Sequence, residues 1–210
     1  MPTTGGTKSS GSEAGADTKD RLIEACRTCL RQEGIAGVSA RAIARHGDLN
    51  QALVFYHFGS VDGLLQATAR EDSTRRAALY EEQLSGVDTL AGLIAVGRAI
   101  HDVETQRGST AVLTQLLAGS VSSPDLRASI LAGMEPWTLL VDQALDRILA
   151  GTPLSAAVPT GDIAFAISSL FLGMELMAGL NPDEDRVASL FTSLDAVGMF
   201  VDALLPKTAT

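Results

Sequence analysis

Along almost the whole chain from position 17, apolar residues recur at three- and four-residue intervals, which predicts helices and no strands. Leu22, Ile23, Cys26, Cys29 and Leu30 share one face of a first helix, with Asp17 or Thr18 as its cap and Gly34 as its end. Ser39 is placed to cap a short second helix that turns Ala40, Ile43 and Ala44 inward and breaks at Gly47. Asn50 caps a third, still shorter helix running to about His57, and Ser60 caps a long fourth one through Leu64, Leu65 and Thr68. Beyond residue 70 the pattern predicts helices over 88–106 and 110–121, and another from Asp125 that Pro136 interrupts or restarts on the way to 150. The last two helices span 162–180 and 183–205. Residues 1–16 are Gly, Ser and Thr with almost no apolar content, the composition of a disordered tail.

Two local patterns stand out. Phe55, Tyr56 and Phe58 crowd around His57, so three of the nine aromatic residues fall within four positions. A core helix spaces such residues three and four apart, so some of this cluster is either wet or meant for contact with another molecule. In the last two helices the apolar arc runs nearly all round. Ile163, Ile167, Leu170, Met174 and Met177 make one stripe, Phe165, Leu172, Leu176 and Leu180 a second, and Ala166, Ser169 and Gly173 a small-residue face. In the final helix Leu190, Leu194, Val197, Val201 and Leu204 line one side, widened by Val187, Phe191 and Phe200. Helices so apolar need cover beyond their own domain, which predicts a four-helix homodimer interface; central core helices of a monomer are the rival reading.

Charge sharpens the division. The chain of 210 residues carries a net −9, but residues 17–70 hold seven Lys/Arg against six Asp/Glu, while 71–210 hold eight against eighteen. Within 19–45 the balance is six basic to three acidic, which permits a locally positive face beside an acidic remainder. An apolar fraction of 46% is ample for a core. No uninterrupted apolar run approaches the ~20 residues of a membrane span and no signal pattern opens the chain, so a cytoplasmic protein with no membrane partner is expected. Cys26 and Cys29 form a Cys-x-x-Cys, but there is no second pair, and His46 and His57 lie far along the chain. Two small buried hydrophobes, and no metal, are expected there. No Gly-rich phosphate loop, metal-ligand spacing or nucleophile elbow suggests an enzyme or a cofactor.

Two short helices joined by a tight Gly-containing turn and buttressed by longer ones describe a helix-turn-helix. The stretch "RLIEACRTCLRQEGIAGVSARAIARHGDLNQALVFYHFGSVDGLL", residues 21–65, resembles the N-terminal domain of TetR-type transcriptional regulators. The resemblance implies an all-α chain with a three-helix DNA-binding domain at 17–65 and a larger helical effector-binding and dimerisation domain at 66–210. It implies double-stranded DNA as partner, with Ser39 and Arg41 on phosphate, and Asn50 capping the recognition helix. Gln51, Ala52 and Phe55 would face base edges, and Tyr56 and His57 the backbone, with Phe58 packed inward. Core packing for Phe55, ordinary surface positions for Tyr56 and His57, and phosphate ligation or plain solvation for Arg45 and His46 are the alternatives. Two departures from the family pattern are Gly47-Asp48-Leu49 where its turn usually reads Ala-Gly-Val, and Val61 where it favours Lys.

A small lipophilic effector is expected in the C-terminal part, with His101, Gln115, Met134, Trp137 and Glu175 as candidate contacts. Glu175 interrupts an apolar helix and needs a partner: a ligand, Arg98, Arg147 or a second subunit. The reading is a homodimeric repressor on a palindromic operator, released when the effector acts on the recognition helices through the fourth helix. The alternative is a helical protein-interaction module that has lost operator binding.

Overall fold

The computed structural model describes residues 10–180 and 186–205, and among them every regular element is helical. In chain order these are α1 (Ser10–Gly37), α2 (Ala40–Gly47), α3 (Ala52–Phe58), α4 (Val61–Ser85), α5 (Leu90–Arg107), α6 (Ser109–Ser120), α7 (Pro124–Leu149), α8 (Thr160–Leu180) and α9 (Arg186–Leu204). The chain divides into two compact units, one formed by residues up to Glu71 with Gln115–Ile130, the other by Asp72–Thr114 with residues from Leu131 onward.

In the first unit, α1 buries Leu22, Cys26, Cys29 and Leu30 on one face, as the spacing predicts. It begins before the expected cap, so that 10–16, assigned by composition to a tail, are helical; residues 1–9 of that tail lie outside the described residues. Extending a nucleated helix costs little. At Gly34 the backbone leaves the helix (φ 68°, ψ 175°), and the side-chain oxygen of Gln115 accepts the N–H of Ile35 at 2.8 Å. The first-unit core is completed by Ile43, Val54, Leu64, Thr68 and Leu126.

In the second unit the core gathers Tyr80, Leu84, Leu93, Ile100, Ala144, Leu145, Ile148 and Ala164, with Trp137, Leu140, Val141, Ile167 and Phe171 against it. α7 runs through Pro136 without ending there; the packing of Trp137, Leu140 and Val141 just beyond outweighs the lost backbone bond. α9 is fastened to α5, where the Asp202 carboxylate accepts the N–H groups of Leu90 and Ala91 at 2.8 and 2.9 Å. Arg98 pairs with Asp195 and lies over the Phe191 ring.

The outer faces of α8 and α9 are apolar and open. Phe165, Leu170, Met177, Leu180, Val197, Met199, Phe200 and Leu204 are all more than half exposed, and a Cβ added at Gly173 would meet nothing within 4 Å. The expectation that no segment is apolar enough to span a membrane needs correcting: by length and composition both α8 and α9 qualify. Asp162, Glu175, Asp195 and Asp202 punctuate them, which hid the length when only uninterrupted runs were sought.

Candidate nucleic-acid interface

The geometry starts at Ser39. Its extended backbone (φ −155°, ψ 159°) leaves the hydroxyl free to accept the N–H of Ala42 at 3.1 Å, which caps α2 as predicted. Burial of Ala40, Ala42, Ile43 and Ala44 then fixes the inner face of α2 and turns Arg41 and Arg45 outward. The turn that follows is tight. Asp48 adopts the left-handed conformation (φ 49°, ψ 52°) and returns its N–H to Ala44, while a Cβ on Gly47 would come within 2.9 Å of the Ala25 methyl. Arg21 of α1 donates to the Gly47 carbonyl at 3.3 Å.

The third helix is entered through Asn50, whose side-chain oxygen accepts the N–H of Ala52 at 2.9 Å. Seven residues do not make a stable helix alone. α3 is held by fully buried Val54 and by half-buried Leu53, His57 and Phe58. Gln51 and Ala52 are exposed, Phe55 is 53% exposed and Tyr56 82%. The aromatic cluster is thus divided, with Phe58 turned toward the domain and Phe55 and Tyr56 toward solvent; Phe55 is not a core residue. A shallow, open concavity of about 440 Å³ lies beside them, lined by Arg41, Ala44, Arg45, Leu49 and Gln51.

Much of the local positive charge is already engaged. Glu24 receives Arg27 at 3.2 Å and Arg31 at 3.1 Å. Partial burial opposes its ionisation, but these bonds, Arg31's before Arg27's, hold the carboxyl below its usual range. Glu33 receives Arg45 at 2.6 Å and His46 at 2.5 Å, both on one oxygen, and its carboxyl too is held low, by His46 first and then Arg45. Arg41 is exposed and makes no described bond within the protein. The pattern is a short helix offered outward, preceded by a helix that opens on the exposed Ser39 cap and on Arg41, which bonds to no other group among the described residues.

Residues 22–68 match the family described as bacterial regulatory proteins, tetR family. This is a TetR-family helix-turn-helix domain. Relatives resemble the chain beyond it. The transcriptional regulator UidR of Escherichia coli K12 is 23% identical over 114 residues, covering 54% of this chain and 57% of that protein. The transcriptional repressor AcnR of Corynebacterium glutamicum is 27% identical over 78 residues, 37% of this chain and 41% of that one. The chain spans about half the length of the curated relatives it matches. A solved Rhodococcus sp. chain described as a TetR-family transcriptional regulator superposes with a TM-score of 0.72 at 19% identity, over 87% of this chain and 99% of that one. The TetR-type fold therefore extends through the C-terminal helices.

The effector-side candidates are not brought into one place. His101 Nδ1 and Glu175 Oε1 stand 2.6 Å apart, and Thr110 donates to the other Glu175 oxygen at 3.0 Å. Glu175's partner is thus His101, not the two arginines considered from sequence: Arg98 pairs with Asp195, and Arg147 donates to the carbonyls of Leu84 and Val87. Trp137 lies half-buried against Tyr80, with ring centroids 5.7 Å apart, and Met134 is half-buried on the same helix. Gln115 belongs to the first unit, where its oxygen serves the break in α1. Sequence reasoning missed Tyr80, Thr110 and Glu104. Glu104 is 1% exposed and accepts the Tyr80 hydroxyl at 2.8 Å. Its signal was present: Leu93, Gly97, Ile100 and Glu104 follow one helical stripe, so the carboxylate had to face inward.

Proposed function

We propose that the chain is a DNA-binding transcriptional regulator rather than an enzyme, acting in the cytoplasm as a homodimeric repressor released by a small effector. The observation that carries the DNA reading is the outward presentation of Gln51, Ala52, Phe55 and Tyr56 on a helix too short to have any other reason to be held out. Ser39, Arg41 and His57 would take phosphate, while Asn50 holds the entry of the recognition helix. The repressor sense is supported by the name of one relative, the repressor AcnR.

Pairing through α8 and α9 would cover their open apolar faces and set two recognition helices on a two-fold axis, as reading of a palindrome requires. The domain roles follow: DNA at 17–65, effector and partner subunit at 66–210. Within the latter, the His101–Glu175–Thr110 group, with Glu175 buried and the other two partly so, is the polar anchor best suited to a largely lipophilic effector; Trp137 and Met134 are separate apolar candidates. α4 leads from the recognition helix into the second unit, and an effector acts only through its different affinities for the DNA-bound and released states.

The test is to mix purified protein with sheared genomic DNA at moderate salt, recover what stays bound, and sequence it. Enrichment of a short palindrome is expected, lost on Arg41→Ala with Tyr56→Ala while the dimer persists. No enrichment from a confirmed, ligand-stripped dimer at low salt would leave the protein-interaction module as the better reading.

A further inference from the structure

The sequence sets Cys29 and His46 on different helices, and the fold brings them back together. Cys29 and Glu33 lie one turn apart on α1, hence on one face of it. His46 reaches them from the last turn of α2. One donor atom from each, a sulfur, a carboxylate oxygen and an imidazole nitrogen, falls within 4.8 Å of both others. The sulfur is fully buried, whereas the Glu33 and His46 side chains retain 29% and 15% exposure, so the group has a closed floor and an open mouth.

We propose that Cys29, Glu33 and His46 form a binding site for a thiophilic divalent cation of the zinc class, which fastens α2 to α1. Thiolate, imidazole and carboxylate together suit zinc better than magnesium or calcium, which take oxygen alone. Bonds of about 2.0–2.3 Å in a tetrahedron put ligand atoms roughly 3.3–3.7 Å apart. The group needs to contract by about 1 Å at its widest, within rotamer reach of the two partly exposed side chains. Three protein ligands leave a fourth position, facing the mouth, for water. The thiol proton leaves to solvent as the ion enters.

The site has a consequence for charge. Glu33 now holds Arg45 and His46 through the same oxygen. An ion that takes Glu33 and His46 releases Arg45 into the concavity it shares with Arg41. On the DNA-binding reading, on which this consequence alone rests, zinc then raises affinity for DNA.

The experiment titrates the untagged full chain with cobalt(II), displaces it with zinc, and repeats both on C29S, E33Q, H46Q and C26S. One cobalt per chain with a thiolate-to-metal charge-transfer band is expected. The band should vanish in C29S, zinc affinity should fall at least about tenfold in E33Q and in H46Q, and C26S should behave as the parent. Absence of the band in the parent overturns the proposal. So does equal zinc affinity in parent, E33Q and H46Q, or loss in C26S matching that in C29S. Glu33 and His46 stand at the mouth, so their variants decide the matter even where C29S fails to fold. No DNA enters the titration, so the site and the regulator reading fail separately.

Discussion

If α8 and α9 form the proposed dimer interface, truncating Phe165 or Phe200 to alanine should dissolve the dimer without unfolding the protomer. The two rings are 68% and 65% exposed on α8 and α9, so their own chain covers only a third of each. A large apolar side chain taken wholly out of water contributes about 1.5–3 kcal/mol, so the uncovered two-thirds contributes about 1–2 kcal/mol once a partner buries it. A two-fold interface contains each ring twice, and a single substitution therefore removes about 2–4 kcal/mol from the dimer. At about 1.4 kcal/mol per tenfold, the dissociation constant rises about thirty- to seven-hundredfold. Sedimentation equilibrium over a range of protein concentrations measures it directly, and urea unfolding checks that the protomer is intact. Phe55→Ala is the control, because Phe55 is also more than half exposed but sits on α3. An unchanged constant in Phe165→Ala and Phe200→Ala, or an effect as large in Phe55→Ala, refutes the reasoning. A parent protein that pellets with membranes instead of dimerising would assign these faces to lipid.

Arg41→Ala should weaken DNA binding alike for all sequences and flatten the dependence on salt by about one unit per half-site, as read by fluorescence anisotropy across a salt series. Gly63→Ala places a Cβ 2.2 Å from the Phe58 carbonyl oxygen, so the α3–α4 turn must open; thermal stability and DNA affinity should both fall. Glu24 ionises more readily folded than unfolded, so its contribution to stability is present above the ordinary carboxylate range and is lost as pH falls through its lowered value. The gap in urea midpoint between parent and Glu24→Gln should hold at neutral pH and close in acid, and a gap that widens in acid contradicts the ion-pair account.

What could be read from sequence was whatever is set locally. Ser39 and Asn50 accept from N–H groups three and two residues on, respectively, and a cap of this kind follows from residue type and position alone. The buried stripe of α1 and the outward aromatics of α3 follow from helical period in the same way. Long-range pairings left no such trace. Nothing near Gln115 says that it serves Ile35 eighty residues earlier, nor does either neighbourhood announce that His101 meets Glu175. Pro136 misled because its local cost is plain while the packing that offsets it comes from several helices. On α9, period alone gave the apolar arc but not its division, in which Phe191 is buried and Val197 and Phe200 are left outside.

The left-handed residue in the helix-turn-helix has a consequence at the level of the gene. Asp48 holds a conformation that glycine adopts without steric cost, and it carries a negative charge on the side turned to solvent. Asp48→Gly should therefore relieve strain and repulsion from phosphate together, seen as tighter operator binding with the fold unchanged. Every aspartate codon lies a single base change from a glycine codon. On the DNA-binding reading, the grip of this chain on DNA is a quantity that selection can reset in one mutational step, without rebuilding either helix.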